Sequence, residues 1–334
     1  MYIYKNIILQ LTTLVNFNIM HGSILNTLIK IKVAKELGYT PNYAARCLIK
    51  SQTHTIGVIA PNLSNQLFCM MVNGIATSAN ELGYNIVLGL SEQSIENEKK
   101  NMQMLSERRV DGLVVFPSFP DAVLPDFADS NNRNIPLILC GNSNKHNNNF
   151  SFVKCDNHMG GYIATEHLIE NGCKRIACIC AIVEKEQAAS RISGYSDALE
   201  FHNIPQDENL VVFCSQESDD IFNTTVNLIK KHNIDGVFCL YDYMSLPVMR
   251  AALSLGKRIP EDIAIIGYDN IDIVSQLPIP LSSVNTHAQV VGSLAAKHLI
   301  KKIQNPNDEV KRIILKPEIV VRESSKRQTN KNGL

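Results

Sequence analysis

The sequence predicts an α/β protein of two doubly wound parallel-sheet lobes, preceded by a small helical, basic segment. Three observations predict it. From residue 55 onward, short runs rich in Val, Ile and Leu alternate with amphipathic stretches. Those runs are nearly continuous in apolar residues, as strands covered on both faces are. Finally, 334 residues with 45% hydrophobic and 19% charged content suit two ordinary domains and exclude a disordered or fibrous chain.

The strand-like runs are Thr55–Ala60, Tyr84–Leu90, Asp111–Phe116, Ile135–Cys140 and Phe150–Cys155, then Arg175–Cys180, Val211–Phe213, Asp235–Leu240 and Asp262–Tyr268. The helical stretches are Phe68–Leu82, Ile95–Arg109, Met159–Glu170, Arg191–His202, Asp219–His232 and Met244–Leu255, several of them stopped by a glycine such as Gly83, Gly172 or Gly256. Nine strands divide into two sheets, each opening with the same strand–loop–helix unit. Ligands of such sheets bind beyond the carboxyl ends of the strands. The polar residues Arg191, Asp242, Asp269 and Asp272 gather there, so two facing lobes would close around a small polar molecule.

Charge is distributed unevenly. Residues 1–55 carry six basic side chains against Glu36 alone, a net +5, which the rest of the chain cancels. A basic arm of this kind meets polyanions. Ser23 can cap a helix over Ile24–Leu37, and Asn42 a short one over Tyr43–Lys50. Eight residues are too few for a stable helix in water, so the second orders only against a partner surface. Arg46 and Lys50 could reach phosphates, Ala44 and Ala45 permit close approach of another helix, and Leu48 could wedge between base steps in a minor groove. An ordinary linker with a solvated basic face is the competing reading.

Other chemistries lack their residues. No GxGxxG, GxxxxGK[ST], HExxH or GxSxG motif occurs, the nine histidines are dispersed, and no CxxC pair stands among the nine cysteines. No cofactor, metal site or catalytic constellation is expected, and the cysteines read as buried, reduced thiols of a cytoplasmic protein. The uncharged stretch Asn6–Ile29 resembles a signal h-region, but no small-x-small cleavage site follows and only 10 of residues 6–24 are strongly apolar. Neither a leader nor a membrane span is expected.

The segments VAKELGYTPNYAARCLIKSQTHTIGVIAPNLSN (33–65), ERRVDGLVVFPS (107–118), DNHMGGYIATEHLIENGCKRIACI (156–179), RISGYSDAL (191–199), RIPEDIAIIGYDN (258–270) and LKPEIVVRES (315–324) resemble the lactose/galactose-repressor (LacI/GalR) type of transcription regulator. The likeness implies a periplasmic-binding-protein-like core of type I that binds a small effector, often a sugar, in a cytoplasmic homodimer that binds operator DNA. It implies a headpiece at 1–40, a hinge helix and linker at 41–54, an N-terminal lobe at 55–154 plus 286–313, a C-terminal lobe at 155–285 plus 314–324, and a tail at 325–334. Residue by residue, Arg191 matches the arginine that grips effector hydroxyls or a carboxylate, and Asp269 matches an acceptor of effector hydroxyls. Leu67 and Phe68 match an apolar or aromatic wall, and Tyr241 stands where an effector-binding Asn is frequent. Gly141 replaces a common Asp. Tyr43, Ala45, Arg46, Leu48 and Lys50 match the hinge residues that enter the minor groove.

The first 22 residues depart from the family's helix-turn-helix. They hold no Arg and only Lys5 as a cation, whereas a recognition helix needs polar and basic side chains at base edges. This is the kind of departure a shifted reading frame produces, and it predicts weak operator binding. Two other functions stay open on the sequence: a solute-binding protein without a DNA role, and an enzyme on the same scaffold.

Overall fold

The computed structural model describes residues 52–118, 122–125, 135–141, 150–182 and 185–327, together with Val33 and Glu36, which are both helical. The rest of the helix expected over Ile24–Leu37, the hinge segment Tyr43–Lys50 and the residues beyond 327 lie outside the described residues. Contacts divide the chain into two units, Met1–Thr53 and His54–Leu334. Both sheets belong to the second.

The first sheet has the order β11-β5-β4-β3-β1-β2, all parallel, from β1 (Thr55–Ala60), β2 (Asn85–Leu90), β3 (Gly112–Val115), β4 (Leu137–Cys140), β5 (Ser151–Cys155) and β11 (Arg312–Leu315). The second has the order β12-β10-β9-β8-β6-β7, from β6 (Ile176–Ala181), β7 (Val211–Cys214), β8 (Gly236–Cys239), β9 (Ala264–Asp269), β10 (Ser282–Asn285) and β12 (Glu318–Val320). Among the described strands only the β10–β12 pair is antiparallel. Each sheet reverses its strand order beside its first strand, the doubly wound arrangement that leaves a crevice beyond the strand ends. β1, β6 and β9 are buried at nearly every position, as strands covered on both faces must be.

All nine expected strands are present within two residues of their sequence limits. Three further strands, β10, β11 and β12, were not expected. Nor was α7 (Ala288–Gln304), which packs on β3, β4 and β5 of the first sheet. The other helices are α1 (Gln66–Glu81), α2 (Ile95–Glu107), α3 (Asn157–Glu170), α4 (Lys185–Phe201), α5 (Ser218–His232) and α6 (Asp242–Ser254). Side chains fix several of their starts: Asn65, Ser94 and Asp156 each accept a first-turn N–H of α1, α2 and α3.

The chain passes between the sheets three times, at β5–α3, β10–α7 and β11–β12. The crossings are tied to one another. The Asp156 N–H donates to the Leu315 carbonyl at 3.0 Å, and Asn285 Nδ2 donates to Glu318 Oε1 at 3.1 Å. Hydrogen bonding of the second lobe runs on past residue 324. Ser325 is fully buried and bonds Ser282 Oγ at 2.6 Å, and Arg327 Nη2 donates to the Asp235 carbonyl at 2.6 Å. Seven of the eight described cysteines are buried free thiols, and Cys69 is half-buried.

One buried acid stands out in the first lobe. Glu98 of α2 is fully buried, its Oε2 accepts the Ser118 N–H at 3.2 Å, and its Oε1 has no partner among the described residues. Burial pushes its carboxyl up to about 7, and the Ser118 N–H opposes that only in part. A carboxyl whose folded pKa lies above its unfolded value stabilises the fold at low pH and loses that contribution as pH rises, here between about 4.5 and 7. Glu98→Gln is therefore expected to match wild type in thermal and urea unfolding near pH 5 and to exceed it by roughly 2 kcal/mol at pH 8. Equal stability at both pH values would contradict the assignment.

Candidate functional site: the cleft at the strand ends

The residues that follow β1, β3, β4 and β5 face those of the second sheet across a cleft of about 560 Å³, open in part to solvent. Pro61, Leu67, Phe68 and Phe116 form its apolar wall, and Phe68 and Phe116 meet edge to face at 6.0 Å. Asn157, Arg191 and Asp269 supply the polar side, with Lys154 on β5 and Thr286 on the β10–α7 crossing. Such a mixture of apolar wall and few convergent polar groups is what small-molecule sites use. Across the mouth, Gln66 Nε2 of α1 donates to Asp272 Oδ2 at 3.1 Å.

Arg191 is the centre of the polar side. It is 4% exposed, and an isolated charge so buried costs several kcal/mol. The protein offsets that cost on every side. Nε donates to Asn157 Oδ1 at 3.1 Å, Nη1 donates to the Leu240 carbonyl, and Nη2 lies 3.7 Å from Asp269 Oδ1. The guanidinium carbon also sits 3.7 Å from the Tyr268 ring centroid and 4.6 Å from that of Tyr241, within cation–π range. The Tyr268 hydroxyl donates to the same Asn157 oxygen at 3.0 Å.

The backbone makes room for this arrangement. A Cβ at Gly161 would overlap the Arg191 carbonyl oxygen, and one at Gly160 would overlap the Tyr268 hydroxyl. The Gly160–Gly161 pair of α3 thus seats both the arginine and the ring beneath it. Sequence reading did not single out these glycines or Asn157, although all three lie in the DNHMGG segment. Asp269 has φ +111° and Asn270 φ +53°, conformations that side chains of L-residues rarely adopt. Strain of about 1–3 kcal/mol per residue persists where surrounding structure over-determines it, characteristically at ligand sites.

Of the expected effector residues, Leu67, Phe68, Arg191 and Asp269 line the cleft. Tyr241 does not. It is 2% exposed, stacked on Tyr243 at 5.6 Å and packed behind the Arg191 guanidinium, so it shapes the floor from beneath. Asp242 turns away as well: its carboxylate accepts Ser283 Oγ at 2.7 Å and the Ile271 N–H at 2.9 Å, bracing the loop after β9. Burial pushes its carboxyl up to about 7 against those hydrogen bonds. Gly141, where the family pattern carries an acid, lines the cleft without one. Lys154 and Thr286 are cleft residues that sequence reading missed, because each sits where a strand ends rather than in a polar motif. The Cys155 thiol also faces the cleft, and burial raises it to about 12, which keeps it protonated and unreactive. Among the described residues no group of His, Cys, Asp and Glu could hold a metal ion.

A family profile described as a periplasmic binding protein-like domain matches residues 165–325. The chain is 32% identical over 296 residues to the HTH-type transcriptional repressor PurR of Vibrio atlanticus, covering 88% of each protein. It is 32% identical over 297 residues to the ribose operon repressor of Halalkalibacterium halodurans, covering 89% of this chain and 87% of the relative. The chain belongs to the LacI family of transcriptional regulators. A crystal structure of a LacI family regulator from Enterococcus faecium with bound ribose superposes with a TM-score of 0.71 at 28% identity, over 81% of this chain and 98% of that one. These relatives support a LacI-type repressor and not the alternative of a solute-binding protein without a DNA role. They are regulators rather than enzymes. Among the described residues no helix is long and apolar enough to cross a membrane.

The buried Arg191–Asp269 pair gives this LacI-family cleft a thermodynamic signature. Arg191→Met leaves an uncompensated buried carboxylate and is expected to cost about 3 kcal/mol in urea unfolding. Adding Asp269→Asn is expected to recover at least half of that loss. Equal destabilisation by the single and double variants would show that the two groups are not coupled.

Proposed function

We propose that the chain is a cytoplasmic, homodimeric LacI-type repressor whose affinity for operator DNA is set by a small sugar-like effector bound in the interlobe cleft. Leu67 and Phe68 offer the effector an apolar wall, Arg191 and Asp269 offer donors and an acceptor, and Tyr241 holds the guanidinium from behind. The single observation that carries the reading is the strained, buried Arg191–Asp269 arrangement at the strand ends of two facing lobes. The relative with bound ribose supports a sugar as the effector class. The lobes are assigned as 55–155 plus 286–315 and 156–285 plus 316–327, the expected limits at 154, 313 and 324 moving to the ends of β5 and β11 and to Arg327, after a headpiece at 1–40 and a hinge at 41–54. No catalytic role is assigned to any residue.

Control requires that the effector bind one lobe arrangement more tightly than the other. The three tied crossings supply the hinge, and the Gln66–Asp272 hydrogen bond spans the mouth. In the DNA-binding segment, Leu48 wedges into the minor groove, with Tyr43, Ala45, Arg46 and Lys50 beside it. Residues 1–22 carry Lys5 as their one cation, which makes operator binding weak, with the hinges supplying most of it. Dimerisation is supported by exposed leucines. Leu82 precedes and Leu90 ends β2, an edge strand of the first sheet, and Leu246 and Leu253 lie seven residues apart on one face of α6.

Sedimentation of the full chain at micromolar concentration is expected to give twice the chain mass, and a monomer would contradict the dimer. Gel-shift titration on genomic fragments is expected to show weak binding with a log–log salt slope of roughly −3 to −4, from four hinge cations per dimer. Leu48→Ala should weaken it at least tenfold. Absence of binding at low salt, or binding indifferent to both Leu48→Ala and a sugar panel, would remove the repressor reading.

A further inference from the structure

We propose that the effector of the interlobe cleft carries an anionic group, a phosphate or a carboxylate, bound by Lys154 together with the Thr286 hydroxyl. The inference rests on the reading of that cleft as the effector site, and it names the class of molecule the cleft takes.

Arg191 offers such an anion hydrogen-bond donors but no uncompensated charge. Its charge is matched by Asp269, and Asn157 and the Leu240 carbonyl already hold two of its N–H groups. Its faces are covered by Tyr241 and Tyr268. Lys154 is in the opposite condition. It lines the same cleft from β5, and among the described residues no carboxylate pairs with it. Its Nζ lies 5.2 Å from the centroid of the Phe152 ring. Partial burial lowers the ammonium pKa, and the field of Asp156 opposes that shift.

Two further observations agree. Thr286 is 4% exposed, lines the cleft and has a hydroxyl with no hydrogen-bond partner among the described residues. A buried hydroxyl left unpaired is costly, and an anionic oxygen is a strong acceptor for it. The charged groups of the described lining are Lys154, Arg191 and Asp269, which leaves a net charge of +1. Closure on a neutral sugar would strip water from the Lys154 ammonium without giving it a counter-ion. Closure on an anion supplies one, so the same residue favours one effector class and penalises the other.

The test is calorimetry on the full chain with matched pairs: ribose against ribose 5-phosphate, glucose against glucose 6-phosphate, and glucose against glucuronate. At least one anionic compound is expected to bind tenfold or more tightly than its neutral parent. Lys154→Met should abolish that preference by weakening the anion and strengthening the neutral parent, Lys154→Arg should retain it, and Thr286→Val should weaken anion binding about fivefold. Circular dichroism and thermal melting check that each variant is folded. Neutral parents that bind as tightly as their anionic partners, or a preference that survives Lys154→Met, overturn this inference and leave the effector site standing. Silence across the whole panel overturns both. The phosphate and glucuronate arms tell the two anions apart.

Discussion

A guanidinium held out of water is the constraint around which the second lobe is arranged. Burying Arg191 is unfavourable unless its charge, its N–H groups and its faces are all met, and each requirement fixes another residue. The charge fixes Asp269, which accepts a strained backbone to reach it. The N–H groups fix Asn157 at the start of α3 and the Leu240 carbonyl at the end of β8. The faces fix Tyr241 and Tyr268, and the close approach of α3 fixes Gly160 and Gly161. A pair this costly contributes little to stability in net terms, and a LacI-family core has a use for it as a rigid, pre-oriented polar floor.

The first lobe contributes the opposite surface, an apolar wall of Pro61, Leu67, Phe68 and Phe116. A floor and a wall on separate sheets become one site only when the lobes approach, and the three crossing segments limit how they can do so. In the proposed mechanism, effector binding is thus coupled to lobe geometry through the location of the site between two bodies. Thr286 sits on one of those crossings and Lys154 at the penultimate position of β5 before another, so in the proposed mechanism groups that sense the ligand adjoin the hinge.

Much of the fold was legible because buried parallel strands leave an unambiguous signal: TIGVIA, IACICA and AIIGYD each carry an unbroken, non-alternating apolar run. The strands that escaped were those with no such signal. β10 reads SSVN, and its Ser282 and Ser283 are buried only because Ser324, Arg322 and Asp242 bond them. β12 has three residues and gains its place from a neighbour distant in sequence. The family pattern located Arg191, Asp269, Leu67 and Phe68 at the cleft. It could not convey that Tyr241 points beneath the arginine, since a strand-end position fixes where a residue starts and not where its ring goes. Lys154 and Thr286 escaped for a related reason: a lone cation or hydroxyl becomes informative only once its lack of a partner is visible in three dimensions.

The central claim is that the cleft between the two sheets is where this regulator receives its signal. The most direct measurement is a crystal structure of the chain grown with the tightest-binding compound of a sugar and sugar-phosphate panel. The account predicts ligand density between the Phe68 ring and the Arg191–Asp269 pair, with Gln66 and Asp272 in contact across the closed mouth. A saturating ligand seated elsewhere on the molecule, with that cleft holding only solvent, would contradict it.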